Sequence, residues 1–410
     1  MNDTIRIFLT VLKSALRKEQ PVIPQDISIN EWQALFRLAG THNVLPIFFE
    51  AVRPLPALAA HRELLTSVKQ QVRQQVIGQT LRTEDFFRLN DQLQAAGIQP
   101  LVVKGIVCRS LYPQPDYRPS SDEDLLIPAE QFALCHQVFT DFGMTTGGSQ
   151  DAYEVPYRKA GSPLYIELHK HLFPPESDAY GDMNRFFEKV HRRAISLEIQ
   201  GHTVYTLGHT EHLFYLICHA FKHFLHSGFG IRQVCDIVLY ANAFGKSVDW
   251  AWVLESCKAI HGEKFAAAIF AIGKNYLVFD PEMADYPPCW QEIAVDETPM
   301  LEDLLEGGIY GNASMSRKHS SNITLDAVAA QKSGKKSKNG LIASVFPGKS
   351  KLEGRYPYLK KHPYLLPVAW CSRLWHYGKE TKNARDNNAA DALKIGNERV
   401  ALLRLYGILE

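Results

Sequence analysis

No C-x-x-C pair occurs among the seven cysteines, which stand apart at 108, 135, 218, 235, 257, 289 and 371. An odd, scattered set argues against a disulfide framework or a thiolate zinc site, and it fits a reducing cytoplasm. No apolar run approaches the ~18 uninterrupted residues that mark a membrane-spanning helix. The N-terminal Met-Asn-Asp-Thr-Ile-Arg-Ile-Phe-Leu-Thr lacks a basic region followed by an apolar one, so no signal peptide is expected. With a net charge of +1 there is no global excess of either sign to draw the chain to nucleic acid or a membrane surface. The G-x-x-x-x-G-K-[ST] phosphate loop is absent, and no fixed-period repeat is found.

What is present is an ordinary apolar fraction, 46% of 410 residues with 22% charged. That is enough for a sizeable core and, at about 150 residues each, two or three domains. Residues 1–96 read as a helical domain without a chemical constellation. Apolar residues recur there at helical spacing, and Ser28-x-x-Glu31, with Ile27 and Trp32, has the form of a capping box and staple. At Gly97 the period changes. Short β-branched or alternating runs at 98–103, 121–127, 151–159 and 163–169 read as strands, the last two as a hairpin around Ala-Gly-Ser. Helices are expected at 106–112 and 129–142, giving a compact α+β core over 97–208. From 209 to 410 the pattern is helical again, interrupted by a polar, basic segment near 331–351 that is expected to be mobile or ordered by a ligand.

The chemistry-bearing residues lie between Leu101 and His169. On a strand, i and i+2 share a face, so Asp122 and Asp124 point the same way. If Glu167 comes from a neighbouring strand, three carboxylates converge. Like charges about 4 Å apart repel by roughly 4 kcal/mol at an effective dielectric near 20. Such a cluster calls for protons, a cationic partner or a divalent metal, and oxygen ligands favour Mg²⁺ or Mn²⁺. Lys104-Gly105 stands where a strand meets a helix, and backbone N–H groups there can take an anion. His219 and His223 at i, i+4 could bind zinc, but hydrogen-bonded burial, with Asp236 as a partner, or a place along the cleft is the stronger expectation. His169 shares the face of Glu167 and is a candidate supporting partner.

Leu-Val-Val-Lys104-Gly105, Leu111-Tyr112-Pro113, Arg118, Asp122-x-Asp124-Leu-Leu-Ile and Ile166-Glu167-Leu168-His169 together resemble the uncharacterised bacterial nucleotidyltransferases of the DNA polymerase β-like superfamily. Weaker likeness extends outward, through Trp32…His42-x-Val44, His219-x-x-x-His223, Arg232 and Asp236, to Gly308-x-Tyr-Gly311 and Arg355…Arg373. The resemblance implies a small mixed-sheet core flanked by helical N- and C-terminal domains. It implies nucleotide phosphates at Gly105 with Lys104 and Arg118 close by, and metal on Asp122, Asp124 and Glu167. The implied reaction moves an NMP from an NTP, ATP among them, to an acceptor, with release of pyrophosphate and two Mg²⁺ ions stabilising the attacking and leaving oxygens. The acceptor stays open between a small molecule, a protein and RNA.

Two departures stand out. The superfamily has Gly-Ser where this chain has Lys104-Gly105, and Glu123 sits between the aspartates where an apolar residue is usual. An unpaired charge on the core face costs several kcal/mol, so Glu123 must reach solvent, pair with a base or join the site. Two rivals follow: a glycosyltransferase holding a metal–sugar diphosphate on Asp-x-Asp, or a degenerate, non-catalytic nucleotide-binding protein. Lys332, Lys335, Lys336, Lys338, Lys349 and Lys351 could attract RNA, but aromatic interleaving is missing and nucleic-acid binding is not favoured.

Overall fold

The computed structural model describes residues 1–307, 315–334, 352, 356, 358–381 and 389–410. The N-terminal region is helical: α1 (Asp3–Arg17), α2 (Ile29–Thr41), α3 (Leu45–Val52), the single turn α4 (Pro56–Ala59) and the long α5 (Arg62–Ala95). The capping box at the start of α2 is formed in both directions, with Glu31 N–H donating to Ser28 Oγ at 3.3 Å and Ser28 N–H to Glu31 Oε2 at 2.9 Å. The segment before Gly97 is one continuous helix of 34 residues. It stops where Gly97 adopts φ +79°, a left-handed turn that glycine enters without penalty.

The centre is an α+β unit. Its elements run β1 (Leu101–Val103), α6 (Gly105–Arg109), β2 (Glu123–Leu126), α7 (Phe132–Asp141), β3 (Met144–Thr145), β4 (Glu154–Lys159) and β5 (Tyr165–His169). The five strands form one mixed sheet in the order β1-β2-β5-β4-β3. Only β2 and β5 run parallel; the other neighbours are antiparallel. This register puts Asp124 opposite Val103 on one side and Glu167 on the other. Asp124 and Glu167, 43 positions apart in the sequence, are thus direct neighbours, and Lys104 follows the residue paired with Asp124. In β5, Ile166 and Leu168 are fully buried while Glu167 stays partly open, as strand alternation requires. A second hairpin, β6 (Ile195–Ile199) and β7 (His202–Thr206), was not among the expected strands. It is tied to the sheet where Thr206 Oγ1 donates to the Val102 carbonyl at 2.6 Å.

The remainder is helical: α8 (His209–His226), α9 (Ile231–Phe244), α10 (Trp250–Ala259), α11 (Glu263–Tyr276), α12 (Pro288–Gln291), α13 (Thr298–Gly307), α14 (Met315–Lys332), α15 (Tyr358–Lys361), α16 (Leu366–Thr381) and α17 (Ala389–Leu405). One continuous apolar core runs through all three regions, from Phe8 and Trp32 through Val102 and Leu168 to Leu213 and Trp290. Asp303 on α13 binds Arg317 of α14 at 2.7 Å and Arg399 of α17 at 2.7 Å, which fastens the last helices together. No helix of the described residues is long and apolar enough to cross a membrane. The basic lysines at 335–351, the Gly308–Gly311 motif and Arg355 lie outside the described residues.

Candidate active site

Asp124, Glu167 and His169 come together at the middle of the sheet, each able to bring one ligand atom within 4.8 Å of the others. Asp124 and Glu167 meet because β2 and β5 are parallel neighbours in register. His169 follows Glu167 on the same face of β5, and its Nε2 lies 3.0 Å from Asp124 Oδ1 and 3.9 Å from Glu167 Oε2. Asp122, expected beside Asp124 and Glu167 as a metal-binding carboxylate, stands outside this trio: it is half-buried just before β2 and accepts from Ser121 Oγ at 3.1 Å. It still lines the same cavity, of about 400 Å³, with Asp124, Glu167 and His169. The facing wall is supplied by α8, through His219, Lys222, His223 and His226.

The electrostatics show a site short of positive charge. Burial, then the charges of Asp124, Asp122 and Glu154, pushes the Glu167 carboxyl up to about 8. Burial acts the same way on Asp124, but the Lys104 ammonium and His169 outweigh it and hold Asp124 below the usual carboxylate range. Lys104 Nζ is 2.8 Å from Asp124 Oδ2 and 3.0 Å from His219 Nε2. Burial would lower this ammonium, yet Asp124, with Tyr215 and Asp122, raises it well above its ordinary value.

Lys104 is held there by its backbone. Its φ is +59°, a conformation that costs a non-glycine residue of order 1–3 kcal/mol. Its N–H donates to His212 Nε2 at 3.3 Å, so His212 carries its proton on Nδ1, 2.9 Å from Thr206 Oγ1. Burial lowers His212 to about 3, which keeps it neutral in that bridging role. The next residue, Gly105, has φ +30°, and a Cβ there would collide with Glu123 Oε2.

Glu123 therefore neither reaches solvent nor joins the cavity. It is 0% exposed and pairs with a base, Arg109 Nη2 at 2.7 Å, while accepting the Ile106 N–H at 2.8 Å. β2 is not an edge strand, which closes the solvent route. The Ile106 N–H, the second of α6, is thus already occupied by an internal carboxylate, which narrows the anion cradle expected at Lys104-Gly105. Arg118 is anchored by Asp236 through two bonds of 2.7 and 2.6 Å, and Tyr112 Oη donates to Asp236 at 2.8 Å. Asp236 is committed to Arg118, so it does not serve the histidines. Instead His219 and His223 meet each other, Nε2 to Nε2, at 3.1 Å. Burial first, then Lys104 or Lys222, lowers both well below the ordinary histidine range.

A smaller cavity of about 40 Å³ adjoins the first, lined by Lys104, Gly105, Arg118, Arg232 and the same two aspartates. Arg118 Nη1 and Arg232 Nε are buried and have no hydrogen-bond partner among the described residues.

A family model described as uncharacterised nucleotidyltransferase matches residues 28–277. The chain belongs to that family. A solved structure, an antigenic nucleotidyltransferase-like protein from Paracoccidioides brasiliensis, is similar at 14% identity, covering 50% of this chain and 95% of that one, with a TM-score of 0.31. No curated protein matches the chain. The matched span of this nucleotidyltransferase family member includes most of the helical lead-in, the whole sheet, and α8 to α11.

The donor set fits a divalent cation. Two carboxylates and one imidazole suit Mg²⁺ or Mn²⁺, the nitrogen weighting the balance toward Mn²⁺. A carboxyl lifted to about 8 by burial and then by its acidic neighbours is what a cation would relieve. Several residues were missed from the sequence. Arg109 is the single charge in the apolar run Gly-Ile-Val-Cys-Arg, a signal that could have paired it with Glu123. Gln79, on the helical region read as chemically silent, accepts the Ser120 N–H at 2.8 Å and braces the loop before Asp122. No sequence pattern announces that contact. Lys222 lies between the two noted histidines and went unremarked.

Proposed function

We propose that this chain is a metal-dependent nucleotidyltransferase that moves an NMP from an NTP to an acceptor nucleophile and releases pyrophosphate. The observation that carries the reading is the convergence of Asp124, Glu167 and His169 on the wall of a cavity that Asp122 also lines. Asp122, Asp124 and Glu167 hold Mg²⁺ or Mn²⁺, with His169 as a neighbouring donor. The cation, when bound, stabilises charge on the phosphate oxygens. The acceptor O–H or N–H attacks the α-phosphorus, the bond to the pyrophosphate oxygen breaks, and Glu167 takes the proton. The smaller cavity supports a place for phosphate oxygens beside Lys104 and Gly105, since Arg118 and Arg232 each keep a buried N–H free to donate there. Glu123, the feature that favoured a degenerate site, is neutralised by Arg109 and leaves the cavity side undisturbed.

The organisation into residues 1–96, 97–208 and 209–410 is proposed as lead-in, catalytic core and cleft-closing helices. The test is incubation with each α-³²P-labelled NTP and a cell extract as acceptor source, comparing wild type with the Asp122→Ala/Asp124→Ala double variant. Metal-dependent label transfer by wild type alone supports the reading. Equal transfer by both proteins sinks it.

A further inference from the structure

The two cavities share one wall, made of Lys104, Asp122, Asp124 and His219. Lys104 is its centre. The ammonium sits 2.8 Å from Asp124 Oδ2, while the opposite oxygen, Oδ1, faces His169 at 3.0 Å. Asp124 is therefore divided between two cationic places. The one on the Glu167–His169 side is open to a metal ion. The one on the side toward Asp122 and the phosphate-sized cavity already holds a fixed positive charge.

That placement is specific. The side chain of Lys104 is 15% exposed and ends between a carboxylate and a neutral imidazole, His219 Nε2 at 3.0 Å. Its backbone is held at φ +59° by the hydrogen bond to His212. Backbone strain kept at a buried lysine points to a position that matters. Charge counting agrees: the three carboxylates Asp122, Asp124 and Glu167 are balanced by one divalent cation and one ammonium. On the far side of the wall, Arg118 Nη1 and Arg232 Nε supply donors to an incoming anion.

We propose that the Lys104 ammonium takes the place of a second divalent cation, so that the complex with nucleotide carries one metal ion. Lys104 then bridges Asp124 and the nucleotide's phosphates. This rests on the nucleotidyltransferase reading and goes beyond it, because a side chain of this protein replaces one of the two ions that the family resemblance implies.

The test counts ions rather than activity. The full chain is brought to equilibrium dialysis with Mn²⁺ and the α,β-methylene analogues of the four NTPs, and bound Mn²⁺ and bound nucleotide are measured separately. Wild type and Lys104→Arg are expected to hold one Mn²⁺ per bound nucleotide, and Lys104→Met to hold two. Two Mn²⁺ per nucleotide in wild type overturns the inference while leaving nucleotidyl transfer standing. So does a single Mn²⁺ in a folded, nucleotide-bound Lys104→Met. Failure of wild type to bind any of the four analogues overturns both. If Lys104→Met does not fold, the wild-type and Lys104→Arg ratios still decide.

Discussion

Glu123 and Asp124 are consecutive residues of one strand, and each is a buried carboxylate paired with a base at 2.7–2.8 Å. They serve different ends. Glu123 points to the core, where both it and Arg109 are completely buried, and its two oxygens are committed to Arg109 and to the Ile106 N–H. Asp124 points the other way, onto a cavity of about 400 Å³, and its partner Lys104 reaches both cavities. The difference shows that burial and ion pairing alone do not mark a functional group. What marks it is an opening beside the pair and neighbouring charges left uncompensated, here Glu167.

The sharpest way to break the comparison is to neutralise each carboxylate in turn. Asp124→Asn should reduce nucleotide transfer and Mn²⁺ binding to background while the chain remains folded by circular dichroism. Transfer by this variant at the wild-type rate would remove Asp124 from the site. On the core side, Arg109→Met should cost about 3–5 kcal/mol in urea unfolding, because it strands a buried charge. Arg109→Met/Glu123→Met should recover much of that, short of the ~1–3 kcal/mol left by the unpaired Ile106 N–H. An additive double variant would show that the two residues are not coupled.

Gly105→Ala should destabilise by about 1–3 kcal/mol through overpacking against Glu123, and less in a Glu123→Ala background. Equal costs in both backgrounds would place the glycine's role elsewhere. His169→Asn should weaken Mn²⁺ binding by roughly 10–100-fold, the usual effect of losing a partner that orients a ligand, as read by calorimetry. An unchanged affinity would detach His169 from the metal.

The last test is the pH dependence. Glu167 is raised to about 8, from about 4.3 in an unfolded chain. Between these values the metal-free folded protein holds a proton that the unfolded chain has lost, so its stability falls as pH rises through that window. A cation needs the carboxylate, so Mn²⁺ affinity should climb by up to about tenfold per pH unit toward 8 and level off above it. A flat calorimetric profile from about pH 6 to about pH 9 would show that Glu167 does not bind the ion.

Much of the fold was legible. The capping box at Ser28 and the alternation of Ile166, Glu167 and Leu168 depend on local spacing, and local spacing is written in the chain. The hairpin β6–β7 carries such a local signal too, since Ile195, Leu197 and Ile199 alternate with Ser196 and Glu198 and Gly201 in the turn has φ +83°, although it was not among the expected strands. Arg118 and Asp236 were both noted, but as separate site residues. Their bidentate pairing spans 118 positions, and no spacing rule reaches that far.

The sequence by itself determined the strand that turns Asp124 to one face and Glu123 to the other, because side-chain direction in a strand follows residue parity. It also determined that a charge on the core face needs a partner, because desolvation must be compensated. Which partner, and what lies on the open side, belonged to the tertiary structure. The parallel pairing of β2 with β5 brought Glu167 and His169 to Asp124, and α6 swung Arg109 beneath Glu123. The turn at Lys104 then set an ammonium against the carboxylate. Those contacts join residues distant in the chain, and only the packing of whole elements fixes them.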